Sequence, residues 1–220
     1  MSGLLDWLYP HNTICPFCNQ EAVLDADGVC SVCREGLVVL AGALRTCEAP
    51  LDGLSAGLAY AGPAKDAIRR LKYNGQYWLA PALAAYMALP PEWAVDGVVP
   101  VPLHPLRRWL RSYNQSQELA IALEKRGLAA PLTPDVLKRI RYTGPQARLS
   151  AAARRKNLQD AFRAVGSMKG KNLLLIDDVA TTRSTLYACA AALKAAGASR
   201  VYALCAADAD FTEETGGSVH

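Results

Sequence analysis

The stretch LLLIDDVATTRSTL, residues 173–186, decides how the rest of the chain is read. Four apolar residues run into two adjacent aspartates, Asp177 and Asp178. A small-residue turn follows through Ala180, Thr181, Thr182, Arg183, Ser184 and Thr185, and then a helical pattern begins. An apolar run of this length bounded by polar residues reads as a buried strand. Adjacent carboxylates at its end are costly to bury without partners. The bland reading is a helix-capping loop with exposed acids. The sharper reading is a ligand corner, because open parallel sheets bind ligands beyond the carboxyl ends of their strands. Such a turn aims backbone amides at one phosphate, the helix N-terminus adds partial positive charge, and the hydroxyls add donors. The carboxylates would accept from sugar hydroxyls or hold hydrated Mg²⁺. A ribose bearing a 5′-phosphate suits both halves.

Around this corner the pattern is that of an α/β protein. VDGVVPVPL (95–103), KNLLLIDDV (171–179) and SRVYALCAA (199–207) are apolar runs, and helical patterns fall at 112–127 and 186–197. Buried strands alternating with helices indicate βαβ units and a parallel sheet with flanking helices. Upstream, 54–62 reads as a strand, 64–75 and 76–89 as helices, and 135–141 as a further strand. Trp78 is expected in the core.

The 220 residues are 51% hydrophobic and 20% charged, which fits one domain with an appendage. Apolar runs of about 18 residues are absent, and the N-terminus has no basic region before an apolar run. No membrane insertion is expected, and cytoplasm is the expected compartment. Charge is uneven. Residues 1–60 hold seven acids and two bases, net −5, while 61–220 hold 22 bases and 13 acids, net +9. Between Lys138 and Arg163 eight basic residues meet one acid, Asp160. That asymmetry suits an anionic partner, either phosphate-bearing small molecules or nucleic acid, with a solvated basic face as the bland alternative.

Four of the seven cysteines form CPFC (Cys15, Cys18) and CSVC (Cys30, Cys33), with eleven residues between the pairs. Two such knuckles match a tetrahedral four-cysteine zinc site, structural because no coordination position stays open. The alternatives are two disulfides or redox thiols, which a cytoplasmic chain disfavours. Zinc would also stabilise a module of roughly 40 residues, too small to bury its own core. The excursion between the knuckles carries an Asp27-Gly28 turn signal for a small hairpin. Cys47 stands alone, Cys189 and Cys205 read as small core residues, and His11 is a reserve ligand.

LLLIDDVATTRSTL resembles the phosphoribosyl-pyrophosphate (PRPP) loop of type I phosphoribosyltransferases, an apolar strand, D-D, then T-T-G-x-T. With CPFC and CSVC, IRRLKYNGQYWLAPALA, VVPVPLHPLRRWLRSYNQSQELA and LKRIRYTGPQARLSAAARRKNLQDAF in that order, the chain resembles the ComF family over nearly its whole length. That family is linked to DNA uptake in natural transformation. The resemblance implies a zinc-ribbon-like module, here 1–50, followed by a phosphoribosyltransferase-like domain, 51–220. It implies that Asp177 and Asp178 face ribose hydroxyls and that Ala180 through Thr185 wrap the 5′-phosphate of PRPP bound with Mg²⁺. Lys72, Asn114, Gln115, Gln146, Arg154 and Asn157 fall on family-typical positions, and Lys72 is expected on the pyrophosphate side of PRPP. Arg107, Arg108 and Arg111 follow VPVPL, where the loop meets pyrophosphate, a task suited to arginine's planar fork. The implied partners are single-stranded DNA and a helicase-like ATPase. Lys138, Arg139, Arg141, Arg148, Arg154, Arg155 and Lys156 would grip the DNA backbone, with Tyr73, Tyr77, Trp78, Trp109, Tyr113 or Tyr142 as stacking faces. The alternative activity is phosphoribosyl transfer to an unidentified acceptor; nucleotide salvage would need a base pocket that the sequence does not display. Arg183 stands where the family pattern has glycine. A left-handed turn there costs arginine about 1 kcal/mol, or the guanidinium adds charge to the phosphate site. Ser112 and Tyr113 replace the usual Gly-Phe.

Overall fold

The structure is a computed structural model that describes residues 13–103, 112–128, 130–141, 158 and 160–210. Its centre is a five-stranded sheet in the order β1-β2-β7-β6-β3. The strands are β1 (Leu44–Arg45), β2 (Gly53–Ala59), β3 (Gly97–Pro100), β6 (Asn172–Ala180) and β7 (Arg200–Asp208). All neighbours are parallel except β1, which pairs antiparallel with β2. The α/β architecture expected from the apolar runs is what forms, with a four-cysteine cluster near the N-terminus.

Both faces of the sheet are covered, so its central strands carry unbroken apolar runs. Alternate residues of β6 go to opposite sides. Leu174 and Ile176 pack with the helices α2 (Gly62–Tyr73), α3 (Ala80–Ala84) and α4 (Gln115–Lys125). Leu173 and Leu175 pack with α5 (Ser184–Ala195), where Cys189 and Cys205 are buried as expected. The first core also takes in Cys15, Phe17, Val29, Cys30, Cys33 and Leu37, so the cysteine segment and the sheet share one apolar cluster.

Several expectations need correction. The continuous helix expected over 76–89 is a 3₁₀ turn (Tyr77–Leu79) followed by the short α3. Pro81 explains the late start: inside a longer helix its ring would strike the carbonyl four residues back, whereas in the first turn it is tolerated. Beyond Ala84 the chain leans on the sheet at Gly57, where a Cβ would sit 2.8 Å from the Tyr86 carbonyl oxygen. Trp78, expected in the core, is 58% exposed. The strand expected over 135–141 does not join the main sheet. Only β4 (Leu137–Arg139) forms, antiparallel to β5 (Phe162–Ala164) in a separate ribbon. Neither β1 and β5 nor the one-and-a-half-turn helix α1 (Ser31–Gly36) was expected from the sequence. The excursion between the knuckles does turn back at Gly28, with the Asp25 amide donating to Val29 and an antiparallel bridge between Leu24 and Cys30.

Candidate carboxylate and phosphate corner

The strand β6 delivers Asp177 and Asp178 to the carboxyl edge of the sheet, and two helices meet them there. From α2, the Lys72 ammonium lies 2.9 Å from Asp178 Oδ1. From α4, the Ser116 hydroxyl donates to Asp177 Oδ1 at 2.9 Å, and the Asp178 amide donates to the same oxygen at 3.0 Å. Helix α4 starts at this edge because Asn114 caps it. The Asn114 side chain accepts from the Ser116 amide at 3.1 Å and donates to the Val101 carbonyl beyond β3 at 3.0 Å. The other Asp178 oxygen, Oδ2, is buried with no hydrogen-bond partner. Such a group is expensive unless something completes it.

The electrostatics follow from this crowding. Burial, with the Asp178 carboxylate beside it, pushes Asp177 up to about 7, although Lys72 and the Ser116 hydrogen bond pull the other way. For Lys72, burial lowers the pKa, but Asp178 outweighs it and the net shift is upward. A cation reaching the corner would relieve both the repulsion and the orphaned oxygen, and Mg²⁺ is held in this way, by one or two carboxylates with its other positions on water and phosphate. The residues present fit such an ion.

From Ala180, the last residue of β6, the chain turns through Thr181, Thr182 and Arg183 into α5. Among the described residues, the amides of Thr181, Thr182, Arg183, Ser184 and Thr185 donate to no backbone or side-chain acceptor. Thr182 Oγ1 and Ser184 Oγ lie 3.2 Å apart. Arg183 occupies the left-handed region, φ 57° and ψ 1°. The family glycine position thus does need positive φ, and Ser112, at φ 64°, is a second non-glycine residue with the same demand. The Arg183 guanidinium points away from the turn. It donates to the Thr46 carbonyl and lies 3.6 Å from Asp208 and 3.4 Å from Asp210. Asp208 is fully buried and also accepts from Arg45 at 2.8 Å. Arg183 therefore ties the turn to β1 and β7 and presents only its backbone to the corner.

Among curated proteins, Competence protein F of Haemophilus influenzae is 36% identical over 138 residues, which is 58% of this chain and 60% of that one. The match thus spans less than two thirds of the Haemophilus protein. DNA utilization protein YhgH of Escherichia coli is 30% identical over 217 residues, covering 87% of this chain and 95% of that one. The chain belongs to the ComF family. Among solved structures, the glutamine PRPP amidotransferase of B. subtilis complexed with ADP and GMP aligns at a TM-score of 0.39 and 24% identity, over 64% of this chain and 27% of that one. No family model matches the chain.

In this ComF-family chain the four knuckle cysteines come together. The Sγ atoms of Cys15, Cys18, Cys30 and Cys33 all lie within 4.8 Å of one another, with Cys18 and Cys30 at 3.8 Å. A tetrahedral ion with bonds of about 2.3 Å sets its sulfurs about 3.8 Å apart. Burial raises the Cys15 pKa, but amides of Cys30, Cys18 and Phe17 aimed at its sulfur outweigh this and bring it to about 7. The cluster is compatible with a structural zinc site. Cys47 lies half-buried elsewhere.

Of the other anticipated residues, Lys138 and Arg139 lie on β4 and Arg141 just beyond it. Lys138 pairs directly with Arg163 across the ribbon, and the Arg139 guanidinium lies 5.4 Å from the Phe162 ring centre. Arg107, Arg108, Arg111, Gln146, Arg148, Arg154, Arg155, Lys156, Asn157, His11, Trp109 and Tyr142 lie outside the described residues. Sequence reasoning missed Ser116. The available signal was its place in the first turn of a helix that follows a strand ending at the same sheet edge. No helix among the described residues is long and apolar enough to cross a membrane.

Proposed function

We propose that this chain handles single-stranded DNA during competence-associated DNA uptake and retains a corner that binds PRPP, or a related phosphorylated ribose, with Mg²⁺. The observation that carries the reading is the pairing of two crowded carboxylates with a turn whose amides, Thr181 to Thr185, have no acceptor among the described residues. Amides converging at a helix start suit a phosphate, and the carboxylates suit sugar hydroxyls or a hydrated cation. Membership of a family whose relatives are named for competence and DNA utilization supports the physiological setting. On the ribbon, Lys138 faces Arg163. Like charges directly opposite destabilise a sheet, and a polyanion would relieve them. In this reading Asp177, Asp178 and Ser116 orient the ribose and its cation, Lys72 holds Asp178 in place, and Arg107, Arg108 and Arg111 serve the pyrophosphate. The cysteine cluster holds structural zinc, 1–50 and 51–220 are the two functional units, the cytoplasm is the site of action, and a helicase-like ATPase is the partner. Mg²⁺, when bound, would neutralise charge on the pyrophosphate oxygens.

Titration calorimetry with PRPP and Mg²⁺ tests the corner. Wild type binds, and the Asp177→Asn/Asp178→Asn double variant loses at least tenfold in affinity; equal binding by both removes the corner. Fluorescence anisotropy with single-stranded DNA across a salt series tests the other half. Affinity that falls steeply with salt is expected, and a flat response or no binding at low salt sinks it.

The second reading is phosphoribosyl transfer to an acceptor. A cavity of about 450 Å³ beyond the carboxyl end of β3, lined by Pro100, Asn114, Gln117, Asp135 and Lys138 among others, favours it. Asn114, the cap that accepts from the Ser116 amide, is part of its lining. Pyrophosphate release dependent on an added acceptor would establish this reading over binding alone.

A further inference from the structure

Exposed aromatic rings gather at one place, where α2 ends. After Tyr73 the chain turns at Asn74-Gly75, with Gly75 at φ 70°, into the 3₁₀ turn. Tyr77 is 53% exposed and Trp78 58%. Their rings meet edge to face, with centres 5.6 Å apart, and Tyr77 meets Tyr113 in the same way at 5.9 Å. An edge-to-face contact fixes ring orientation and covers one face of one of its two rings, so the surface Tyr77 and Trp78 still offer is their exposed half, 53% and 58%.

This ledge is rigidly mounted. Arg70 donates to Gln76 at 3.0 Å and to the Phe17 carbonyl at 2.6 Å, and it also reaches the Pro16 carbonyl, so the first cysteine knuckle buttresses the turn. Tyr113 donates its hydroxyl to the Leu71 carbonyl. The ledge is connected to the carboxylate corner along the chain at two points. Tyr73 follows Lys72, the partner of Asp178, and Tyr113 precedes Asn114, the cap that positions Ser116 against Asp177. Ser116 lies three positions after Tyr113, a reach of at most about 11 Å. Along α2, exposed Lys65 and Arg69 stand one turn apart on a line leading to Tyr73, with exposed Asp66 beside them.

Half-exposed rings, the flanking cations Lys65 and Arg69 and a polar rim of Asn74 and Gln76 match what binds unpaired bases: stacking that tolerates any base, and cations that follow the backbone. We propose that Tyr77 and Trp78 form a stacking ledge for bases of single-stranded DNA, leading the strand past the ribose-phosphate corner. This rests on the DNA-handling reading above and names where bases, as distinct from phosphates, are held.

The test uses the full-length zinc-loaded protein and two fluorescein-labelled probes of equal length, an oligothymidylate and an abasic sugar-phosphate oligomer, titrated across a salt series. Stacking on one ring is worth roughly 5- to 150-fold in affinity per base. Wild type should therefore bind the oligothymidylate at least tenfold more tightly than the abasic oligomer. Trp78→Ala should remove most of that preference while leaving the abasic affinity and the salt slope unchanged, and Trp78→Phe should keep most of it. Oligothymidylate should quench tryptophan fluorescence in wild type and not in Trp78→Phe. Equal binding of both probes by wild type, or unchanged preference in both Trp78→Ala and Tyr77→Ala, overturns the ledge while salt-dependent DNA binding stands. Absence of binding to either probe overturns the DNA reading and the ledge together. A wild-type dimer that Trp78→Ala turns into a monomer overturns the ledge as well, assigning it to a second copy of the chain.

Discussion

Lys72→Met tests whether the carboxylate corner is as tightly enclosed as its contacts imply. Methionine keeps most of the lysine stem and removes only the ammonium, so packing by α2 survives. What changes is Asp178. Its Oδ1 loses the partner at 2.9 Å, and its Oδ2 already has none. Removing one member of a buried ion pair costs about 3–5 kcal/mol because a charge stays behind uncompensated. Here the pair is unevenly enclosed, with Asp178 5% exposed and Lys72 19%. Water reaching the lysine side trims the cost to about 2–3 kcal/mol. For a chain of this size each kcal/mol moves the melting temperature by about 2–4 °C, so Lys72→Met should melt about 4–12 °C lower. The sign with pH is fixed by the upward shift of Lys72. A raised lysine contributes stability that is complete below its unfolded value of about 10.4, so its own share of the loss is level up to about pH 9, while Asp177, which Lys72 also holds down, is raised further in the variant and adds a loss that grows above about pH 7. Scanning calorimetry of wild type, Lys72→Met, Asp178→Asn and the double variant forms a cycle, and the double variant should recover most of the single loss. A Lys72→Met protein melting within 1 °C of wild type would refute the enclosed pair, and with it the claim that α2 holds Asp178 in position.

Asp177→Asn should be more stable than wild type at pH 8, by about 1–2 kcal/mol after allowing for its partial exposure, and indistinguishable near pH 4. The reason is that a carboxyl raised to about 7 loses folded-state stability as pH climbs from its unfolded value to 7; urea midpoints at the two pH values decide it. One zinc per chain should be found by elemental mass spectrometry, absent in Cys30→Ser and retained in Cys47→Ser, and removing it should lower the melting temperature by more than 10 °C; a metal-free wild type of equal stability would sink the site. Arg183→Gly relieves the left-handed backbone at φ 57° while Arg183→Ala does not. Both lose the contacts around buried Asp208, so both should be destabilised, alanine about 1 kcal/mol more than glycine by urea unfolding. Equal stability of the two variants would refute the strain.

Much of the candidate site was legible because its pieces are local. Asp177 and Asp178 follow a buried run directly, the phosphate-type turn follows them, and the cysteine knuckles are set by spacing within each pair. Such features need only a few residues to hold together. The partners were not legible. Lys72 and Ser116 reach the carboxylates from helices separated by tens of residues and by β3. The guanidinium of Arg183 turned to Asp208 and Asp210 because β7 places those acids beside it, and a sequence offers no angle for a side chain. Trp78, expected in the core, lies outside because Pro81 begins the α-helix only after the 3₁₀ turn that carries the ring.

By itself the sequence determined the alternation of strands and helices, the four thiols with metal-ligand spacing and the carboxylates at a strand end. Periodicity and spacing are properties of a few adjacent residues, so they survive without knowledge of the fold, whereas the left-handed backbone at Arg183 is set by the folded turn. Only the tertiary structure decided that β4 leaves the main sheet, that the cysteine segment shares a core with it, that two helices crowd Asp177 and Asp178, and that an aromatic ledge stands beside them. Those depend on which distant segments share the same space, and burial of apolar surface, which is non-directional, settles that only for the whole chain at once.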